Sequence, residues 1–275
     1  MMDTIAVYQH LPISIGDVRH VRLVLVGCGG TGSFFAQHAA RLAWHARDKG
    51  ITFDMLFVDP DAVEERNVGR QLFVPAEVGH PKAQVLATRY SRAFGLRIGW
   101  HVDKFGHSHV ARGLHPRDDR LYLVVGCVDN TDARAAIDES LSILARSDRR
   151  GSHIYWWLDC GNHDTNGQVC IGNRDDDEFE IVEPFGCIGL PFPGRQHPEL
   201  VDRRIREKPR SCADDLVIDV QSLMVNQAVA GWAATYLYRL VVSRDLDSYA
   251  TYFDLATGSA RSLYIAKESN DNGRQ

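Results

Sequence analysis

The sequence predicts an α/β protein in which a mostly parallel central sheet is flanked by helices, with an antiparallel C-terminal part. Apolar runs typical of strands buried on both faces alternate with helical segments, which favours an open sheet joined by crossover helices. These runs are residues 21–26, 55–58, 121–125 and 154–158. A glycine-rich loop follows the first run, and two short runs near 249–254 and 262–265 flank Thr257-Gly258, a hairpin signal.

The first half of the chain repeats the strand–helix unit with clear boundaries. Residues 33–49 carry apolar side chains at helical spacing and predict the first helix. Pro81 and Gly95 predict the start and the end of the second helix, because proline is tolerated at a helix start and glycine favours its end. Residues 98–102 alternate between apolar and polar and predict a further strand, whereas 106–120 predict a loop.

The second half is less regular. Thr131 can cap a helix that runs to about residue 146, and residues 168–171 predict one more strand. Composition changes near 173, and residues 173–215 predict a long irregular segment of the kind that is usually functional or mobile. An apolar helix is predicted over 219–242.

Composition excludes several classes of protein. The 275 residues carry a net charge of −5, with 44% hydrophobic and 24% charged residues, so the chain is neither disordered nor basic enough to predict nucleic-acid or membrane-surface binding. No signal peptide or 18-residue apolar span is apparent, which favours the cytoplasm and no membrane contact. The six cysteines form no C-x-x-C pair, so we expect no zinc. The histidines, including His101, His107, His109 and His115, show no ligand spacing and are expected to be solvated or core residues.

The glycine loop is the first candidate binding element. Its glycines are Gly27, Gly29, Gly30 and Gly32. Glycines allow the backbone to turn tightly and to approach a phosphate, and the helix that follows offers free N–H groups with a partial positive charge. The pattern is G-x-G-G-x-G and lacks the lysine of a Walker A loop. A tight turn without a ligand is the alternative interpretation.

Polar residues follow the other strands at the same predicted sheet edge. Asp59 ends the second strand, where an acid typically binds ribose hydroxyls, although Asp61 is close enough to compete for that role. Arg70 and Lys82 are suited to phosphate oxygens. Asp129 follows a buried strand and could hold Mg²⁺, or cap the next helix instead of Asn130 or Thr131; these candidates and the glycine loop coincide at one edge.

In this order the segments resemble the ThiF/MoeB/HesA family, the bacterial E1-like relatives of ubiquitin-activating enzymes. The segments are 27–33, 59–71, 78–82 and 127–130. The resemblance covers about 21–172 well, and it is greatest to the ThiF-type members found in PRTRC gene cassettes. It implies a Rossmann-like nucleotide-binding half at 1–172 and a part at 173–265 that completes the same domain. The composition of residues 266–275 predicts a disordered tail.

The resemblance also implies an activity. The family adenylates the C-terminal glycine carboxylate of a small ubiquitin-like or sulfur-carrier-like protein, using ATP and Mg²⁺, and its members are usually homodimers. Carried over, Asp59 would hold the ribose and Gly30 would let the backbone approach the nucleotide. Asn67, Arg70 and Lys82 would contact the phosphates, and Asp129 would coordinate Mg²⁺.

Cys212 is a candidate nucleophile for a step after adenylation. It lies in Arg210-Ser211-Cys212-Ala213, at a place where some relatives carry a cysteine that accepts the activated carboxylate. A small buried hydrophobic role is the alternative. Alternative functions are adenylation of a small molecule or a tRNA base, and a non-catalytic nucleotide-binding partner. A nicotinamide-dependent oxidoreductase ranks lower, because it leaves Arg70, Lys82 and Asp129 without a role.

Overall fold

The computed structural model describes residues 8–111, 120–147, 154–204 and 214–268. The strands are β1 (Tyr8–His10), β2 (His20–Val26), β3 (Thr52–Val58), β4 (Ile98–His101), β5 (Arg120–Gly126), β6 (Tyr155–Asn162), β7 (Asn166–Gly172), β8 (Glu180–Val182), β9 (Gly186–Gly189), β10 (Ser248–Asp254), β11 (Ser259–Tyr264) and β12 (Ala266–Glu268). The α-helices are α1 (Gly30–Ala46), α2 (Lys82–Phe94), α3 (His107–Ala111), α4 (Thr131–Ser147), α5 (Pro193–Gln196) and α6 (Asp214–Tyr238).

Eight strands form one mixed sheet in the order β11-β10-β7-β6-β5-β2-β3-β4. The five strands from β6 to β4 in this order are parallel, whereas β7, β10 and β11 are antiparallel to their neighbours. Helices pack on both faces of the sheet. The predicted fold class, a Rossmann-like sheet with an antiparallel C-terminal part, is confirmed.

The register of the parallel strands sets the position of the site. Val26 at the end of β2 pairs with Val58 of β3 on one side and with Gly126 of β5 on the other. The three strands therefore end at the same level. The residues that follow them, which include the glycine loop, Asp59 and Asp129, start from one edge of the sheet, as expected for ligand sites in open α/β folds.

Successive residues of the central strands contribute to two cores. Leu23 and Leu25 of β2 pack in the cluster that includes side chains of α1, α2 and α6, while Val24 and Val26 pack in the cluster that includes side chains of α4. Trp156 and Trp157 likewise face opposite cores. This explains why the central strands are apolar at every position rather than at alternate ones.

Helix ends follow the predicted signals with small shifts. Gly50 and Gly95 both have left-handed backbone conformations, with φ of 72° and 63°, directly after the first and second helical segments. The first helix starts at Gly30, inside the glycine loop, and a 3₁₀ turn follows α1. In the described part of the chain, no helix combines the length and apolarity that crossing a bilayer requires.

The prediction of a loop over 106–120 is wrong at its start, where α3 lies. The N–H of His109 donates to the carbonyl of Gly106 at 2.9 Å, and Nδ1 of the His109 ring also contacts the Gly106 backbone. These contacts stabilise a short helix that lacks the apolar periodicity on which a sequence prediction depends. Residues 112–119 lie outside the described ranges.

Two further segments are more ordered than predicted. The irregular segment 173–215 contains the β8–β9 hairpin and the short helix α5, and each of these is only three or four residues long. The first three residues of the predicted tail form β12, which pairs with β1 near the other end of the chain. The pairing satisfies backbone groups of both strands, so the prediction of disorder is wrong for Ala266–Glu268.

Candidate functional site

A cleft of about 610 Å³ lies at the carboxyl edge of the parallel strands. Its volume is in the range typical of small-molecule sites. It brings together seven predicted site residues: Gly27, Gly29, Gly30, Asp59, Arg70, Lys82 and Asp129. These side chains and glycines come from four separate segments of the chain. The sheet edge, rather than proximity in sequence, unites them.

The glycine loop is shaped by two close approaches. A Cβ at Gly32 would lie 1.9 Å from the carbonyl oxygen of Gly27, so Gly32 allows β2 and α1 to pack closely and does not line the cleft. A Cβ at Gly30 would lie 2.7 Å from the amide of Asn226, which α6 places over the start of α1. Thr31 Oγ1 donates to Asn226 Oδ1 at 2.9 Å. Two segments that are 195 residues apart in the sequence thus meet at this loop.

The N-terminus of α1 opens toward the cleft with its backbone N–H groups. The N-cap is Gly29, which has no side chain to cap the helix. The first turn of α1 contains no acidic residue. The first N–H groups of a helix lack partners within the helix and carry a partial positive charge. This end of α1 is therefore suited to an anion such as a phosphate.

Asp59 is buried beneath the glycine loop. Its Oδ2 accepts a hydrogen bond from the Cys28 N–H at 2.5 Å, and Oδ1 accepts one from the Asp61 N–H at 2.8 Å. Burial raises the pKa of Asp59, while these two N–H groups and Lys82 oppose the rise. Each carboxylate oxygen has a second lone pair, so Asp59 can hold the loop in place and also accept a hydrogen bond from a ligand hydroxyl.

Three cationic side chains line the same cleft. Lys82, the first residue of α2, is only 8% exposed, and its Nζ lies 3.1 Å from Asp61 Oδ2. Asp61 is therefore occupied in an ion pair with Lys82. Arg70 and Lys104 are the other two cations. Together they can oppose the charge of a polyphosphate.

The side chain of Asp129 is not used as the cap of α4. Asn130 Oδ1 accepts the N–H of Ala133 at 2.9 Å, which is the capping contact that the sequence left open between Asn130, Thr131 and Asp129. Asp129 is exposed on the cleft, and Asn130 Nδ2 donates to its Oδ1 at 3.2 Å. Its other carboxylate oxygen can serve a hard cation such as Mg²⁺.

Besides Gly32, one predicted site residue does not line the cleft, and another lies outside the described residues. Asn67 is buried outside the cleft lining, where its Oδ1 accepts the N–H of Glu64 at 2.9 Å and caps a 3₁₀ turn. Only its Nδ2 group could donate to a phosphate, and the residue does not line the cleft. Cys212, the predicted nucleophile, lies outside the described residues.

Several lining residues were not among the predicted site residues. Gln71 follows Arg70 directly, and its buried Oε1 has no hydrogen-bond partner among the described residues. Asn226 lies on α6, and no local motif marks it. Asp103, Lys104 and Phe105 follow β4. Asn162 ends β6, and His163 and Asp164 lie in the turn after it. Gln71 could have been chosen from its place beside Arg70; the others depend on the fold.

A buried ion pair supports the Asp129 side of the cleft. Arg134 Nε on α4 lies 3.2 Å from Oδ1 of Asp159, a fully buried residue of β6. Asp159 pairs with Gly126, three residues before Asp129, across the β5–β6 ladder. The pair therefore ties the start of α4 to the sheet. Breaking such a pair by removing one partner leaves a buried charge uncompensated.

The donor set fits a nucleoside triphosphate with a divalent cation. The cleft offers a helix N-terminus and three cations to phosphate groups, a buried carboxylate to hydroxyl groups, and the exposed Asp129 to a metal ion. Gln71 Oε1 is a buried acceptor that a ligand donor could satisfy. Among the described residues, Asp129 would hold Mg²⁺, which would neutralise part of the phosphate charge.

Sequence comparison relates part of the chain to eukaryotic activating enzymes. Ubiquitin-like modifier-activating enzyme 5 of Dictyostelium discoideum is 30% identical over 140 residues, which is 48% of this chain and 35% of the relative. The enzyme of the same name from Gallus gallus is 30% identical over 139 residues, 47% of this chain and 33% of the relative. The chain thus spans about a third of the length of these relatives.

Solved structures share the fold over most of the chain, and the family model extends over nearly all of it. The crystal structure of E. coli MccB with ATP has a TM-score of 0.55 at 14% identity, covering 92% of this chain and 66% of MccB. The crystal structure of PaaA has a TM-score of 0.55 at 15% identity, covering 90% of this chain and 64% of PaaA. The model of the ThiF family matches residues 14–274. The chain therefore belongs to the ThiF family.

Proposed function

We propose that this chain is an E1-like enzyme that adenylates the C-terminal glycine carboxylate of a small ubiquitin-like or sulfur-carrier-like protein. The observation that carries the proposal is the cleft, where Arg70, Lys82 and Asp129 surround the glycine loop. Family membership supports it, as do relatives named as ubiquitin-like modifier-activating enzymes and structural neighbours crystallised with ATP and with MccA.

The reaction joins the carrier to AMP. An oxygen of the carrier carboxylate attacks the α-phosphorus of ATP, the bond from that phosphorus to the bridging oxygen breaks, and pyrophosphate leaves with the electron pair. The products are the acyl-adenylate and pyrophosphate. No proton needs to be moved in this step, so the protein contributes positioning and charge stabilisation rather than covalent chemistry.

The residues of the cleft have separate tasks in this proposal. Asp59 accepts hydrogen bonds from ribose hydroxyls, as an acid at the end of the second strand does in other nucleotide folds. Arg70 and Lys82 oppose the charge that develops on the leaving pyrophosphate. Gly30, which lines the cleft, lets the backbone at the start of α1 approach the nucleotide. Asp129 holds Mg²⁺.

The first test is nucleotide binding measured by thermal stability. At 100 times the dissociation constant, Mg·ATP should stabilise the chain by about 2.7 kcal/mol, a rise in Tm of about 5 °C. Asp129→Asn should lose the magnesium-dependent part of this rise, and Arg70→Ala should lose most of it. Asp177→Asn and Arg66→Ala change exposed residues outside the cleft and serve as matched controls.

The second part of the test is exchange of labelled pyrophosphate into ATP in the presence of small proteins that end in glycine. Exchange that needs such a carrier, and that Asp129→Asn abolishes, is the expected result. Exchange supported instead by a small carboxylate would move the substrate assignment to small molecules. Stabilisation by NAD⁺ alone, with none by Mg·ATP, would overturn the proposal.

Cys212 is proposed as the nucleophile of a later step. Its thiolate would attack the acyl-adenylate carbonyl, form a thioester and release AMP. A carrier adduct that is sensitive to thiols in the wild type and missing in Cys212→Ala, with pyrophosphate exchange intact, is the expected result. An adduct that survives in Cys212→Ala would exclude this role without affecting adenylation.

Three further assignments complete the proposal: a homodimer, a cytoplasmic location, and a place among the ThiF-type proteins of PRTRC cassettes. These assignments are supported by what is usual among relatives and by the sequence resemblance. Sedimentation of the purified full chain tests the first: a monomer at concentrations where Mg·ATP binds would exclude an obligate dimer.

A further inference from the structure

Three potential metal ligands meet just beyond the carboxyl end of β4. His101 is the last residue of β4, Asp103 follows two residues later, and His109 lies on α3. One ligand atom from each of the three side chains lies within 4.8 Å of the other two. The sequence shows no ligand spacing among these histidines; they meet because α3 folds His109 back toward the end of β4.

The chemistry of this cluster is typical of a transition-metal site. Two imidazoles and one carboxylate are a recurrent ligand set for Zn²⁺ and related divalent ions, with an open position left for water. In a tetrahedral zinc site with bonds of about 2.0–2.1 Å, neighbouring ligand atoms are about 3.3 Å apart. The ligand atoms lie within 4.8 Å of one another, so the group would have to close by up to about 1.5 Å around an ion.

The surroundings of His109 suit a metal ligand. Its ring is buried, and Nδ1 lies 3.0 Å from the N–H nitrogen and 3.1 Å from the carbonyl oxygen of Gly106. Nδ1 can therefore accept from the Gly106 N–H or donate to the Gly106 carbonyl, depending on the tautomer. Only the donating tautomer leaves the Nε2 lone pair for a metal ion, and donation to a backbone carbonyl is the usual support of a metal-binding histidine. Phe105 stacks on the same ring with centroids 5.8 Å apart and limits its rotation.

The other two ligands complement this one. The rings of His101 and His109 meet edge to face, with centroids 5.2 Å apart. The backbone of His101 is held by the sheet edge, since its carbonyl accepts the N–H of Asp59 at 3.2 Å. Asp103 is exposed, so an ion can reach it from solvent. Its carboxylate would offset part of the charge of a divalent cation.

We propose that His101, Asp103 and His109 bind a divalent transition-metal ion, with Zn²⁺ as the ion to test first. Because Asp103, Lys104 and Phe105 also line the cleft, the ion would fix this wall of the cleft by joining the end of β4 to α3. The expectation of no zinc rested on the lack of C-x-x-C pairs. The ligands proposed for this site are two histidines and an aspartate instead. The proposal does not depend on adenylation, and it is tested without nucleotide.

The test measures metal binding by the full chain. The protein is stripped with a chelator, titrated with Zn²⁺ against a chromophoric competitor, and separately loaded with Co²⁺ to record the visible bands of a nitrogen- and oxygen-ligated ion. We expect one equivalent of Zn²⁺ per chain. His101→Ala and His109→Ala should each weaken binding by more than about 100-fold, since even supporting residues of metal sites account for 10- to 100-fold.

Two further variants keep the result interpretable. Asp103→Asn preserves shape at an exposed position, so the chain should fold normally while binding Zn²⁺ at least about 10-fold more weakly. His107→Ala removes an exposed histidine from the same short helix and should leave the affinity unchanged. Equal binding by the wild type, His101→Ala and Asp103→Asn, or no Co²⁺ bands in the wild type, would overturn the proposal whatever the outcome of the ATP experiments.

Discussion

At the scale of single residues, Asn226 links helix α6 to the glycine loop. It lies 195 positions from Thr31, whose hydroxyl donates to its amide oxygen. The same amide occupies the space that a Cβ at Gly30 would need. A Cβ at Gly30 would therefore have to displace the Asn226 amide from its hydrogen bond with Thr31.

A double-mutant cycle tests this contact. Gly30→Ala should destabilise the chain by about 1 kcal/mol, because the added methyl group displaces the Asn226 amide and weakens its hydrogen bond with Thr31. In the Asn226→Ala background the same change should cost far less, giving a coupling energy that urea unfolding can measure. Gly231→Ala is a suitable control, since a Cβ there meets nothing within 4 Å. An equal loss in both backgrounds would show that Asn226 is not the obstacle.

The sequence predicted those site residues that follow directly from strand ends. Gly27, Asp59 and Asp129 each come after a recognisable buried strand, and strands of a parallel sheet end at a common edge. The positions of Asn226 and of the proposed ligands His101, Asp103 and His109 could not be predicted in this way. Their positions depend on how helices fold back onto the sheet, and neither spacing nor residue type encodes that packing locally.

At the scale of elements, the β1–β12 ribbon joins the two ends of the described chain. Tyr8 pairs with Glu268, Gln9 with Lys267 and His10 with Ala266. The ring of His10 also stacks on Tyr264 with centroids 4.2 Å apart. Neither strand was predicted, because three residues are too few to show a periodic pattern.

Two truncations separate the role of β12 from that of the residues after it. Deleting residues 266–275 removes the partner of β1, so hydrogen exchange of backbone amides in residues 8–10 should become faster. Deleting 269–275 keeps β12 and should leave this exchange close to the wild-type rate. Exchange followed by mass spectrometry of N-terminal peptides distinguishes the two. Equal rates in both truncated chains would mean that the ribbon contributes no protection.

At the scale of the whole molecule, the C-terminal part completes the core rather than forming a separate one. Val229 and Leu237 of α6 belong to the same buried cluster as Val169 of β7 and Leu158 of β6. β10 also pairs along β7. A break near residue 172 would therefore expose one face of the sheet and one of its edges.

We predict that a fragment of residues 1–172 does not fold by itself. Loss of α6 leaves apolar side chains of the sheet exposed, and loss of β10 leaves β7 as an unprotected edge. Circular dichroism should show no cooperative thermal transition for the fragment, whereas residues 1–268 should unfold cooperatively. A sharp transition for 1–172 would instead establish an independent nucleotide-binding domain.

The shared register of β2, β3 and β5 has a consequence for how such chains can vary. A residue inserted within β3 would displace Asp59 along the sheet by about 3.3 Å and turn it toward the opposite face. A residue inserted in a crossover connection changes neither the position of Asp59 along the sheet nor the face toward which it points. We therefore expect ThiF-family chains to differ in the length of their connections, while the number of residues within these three strands stays constant.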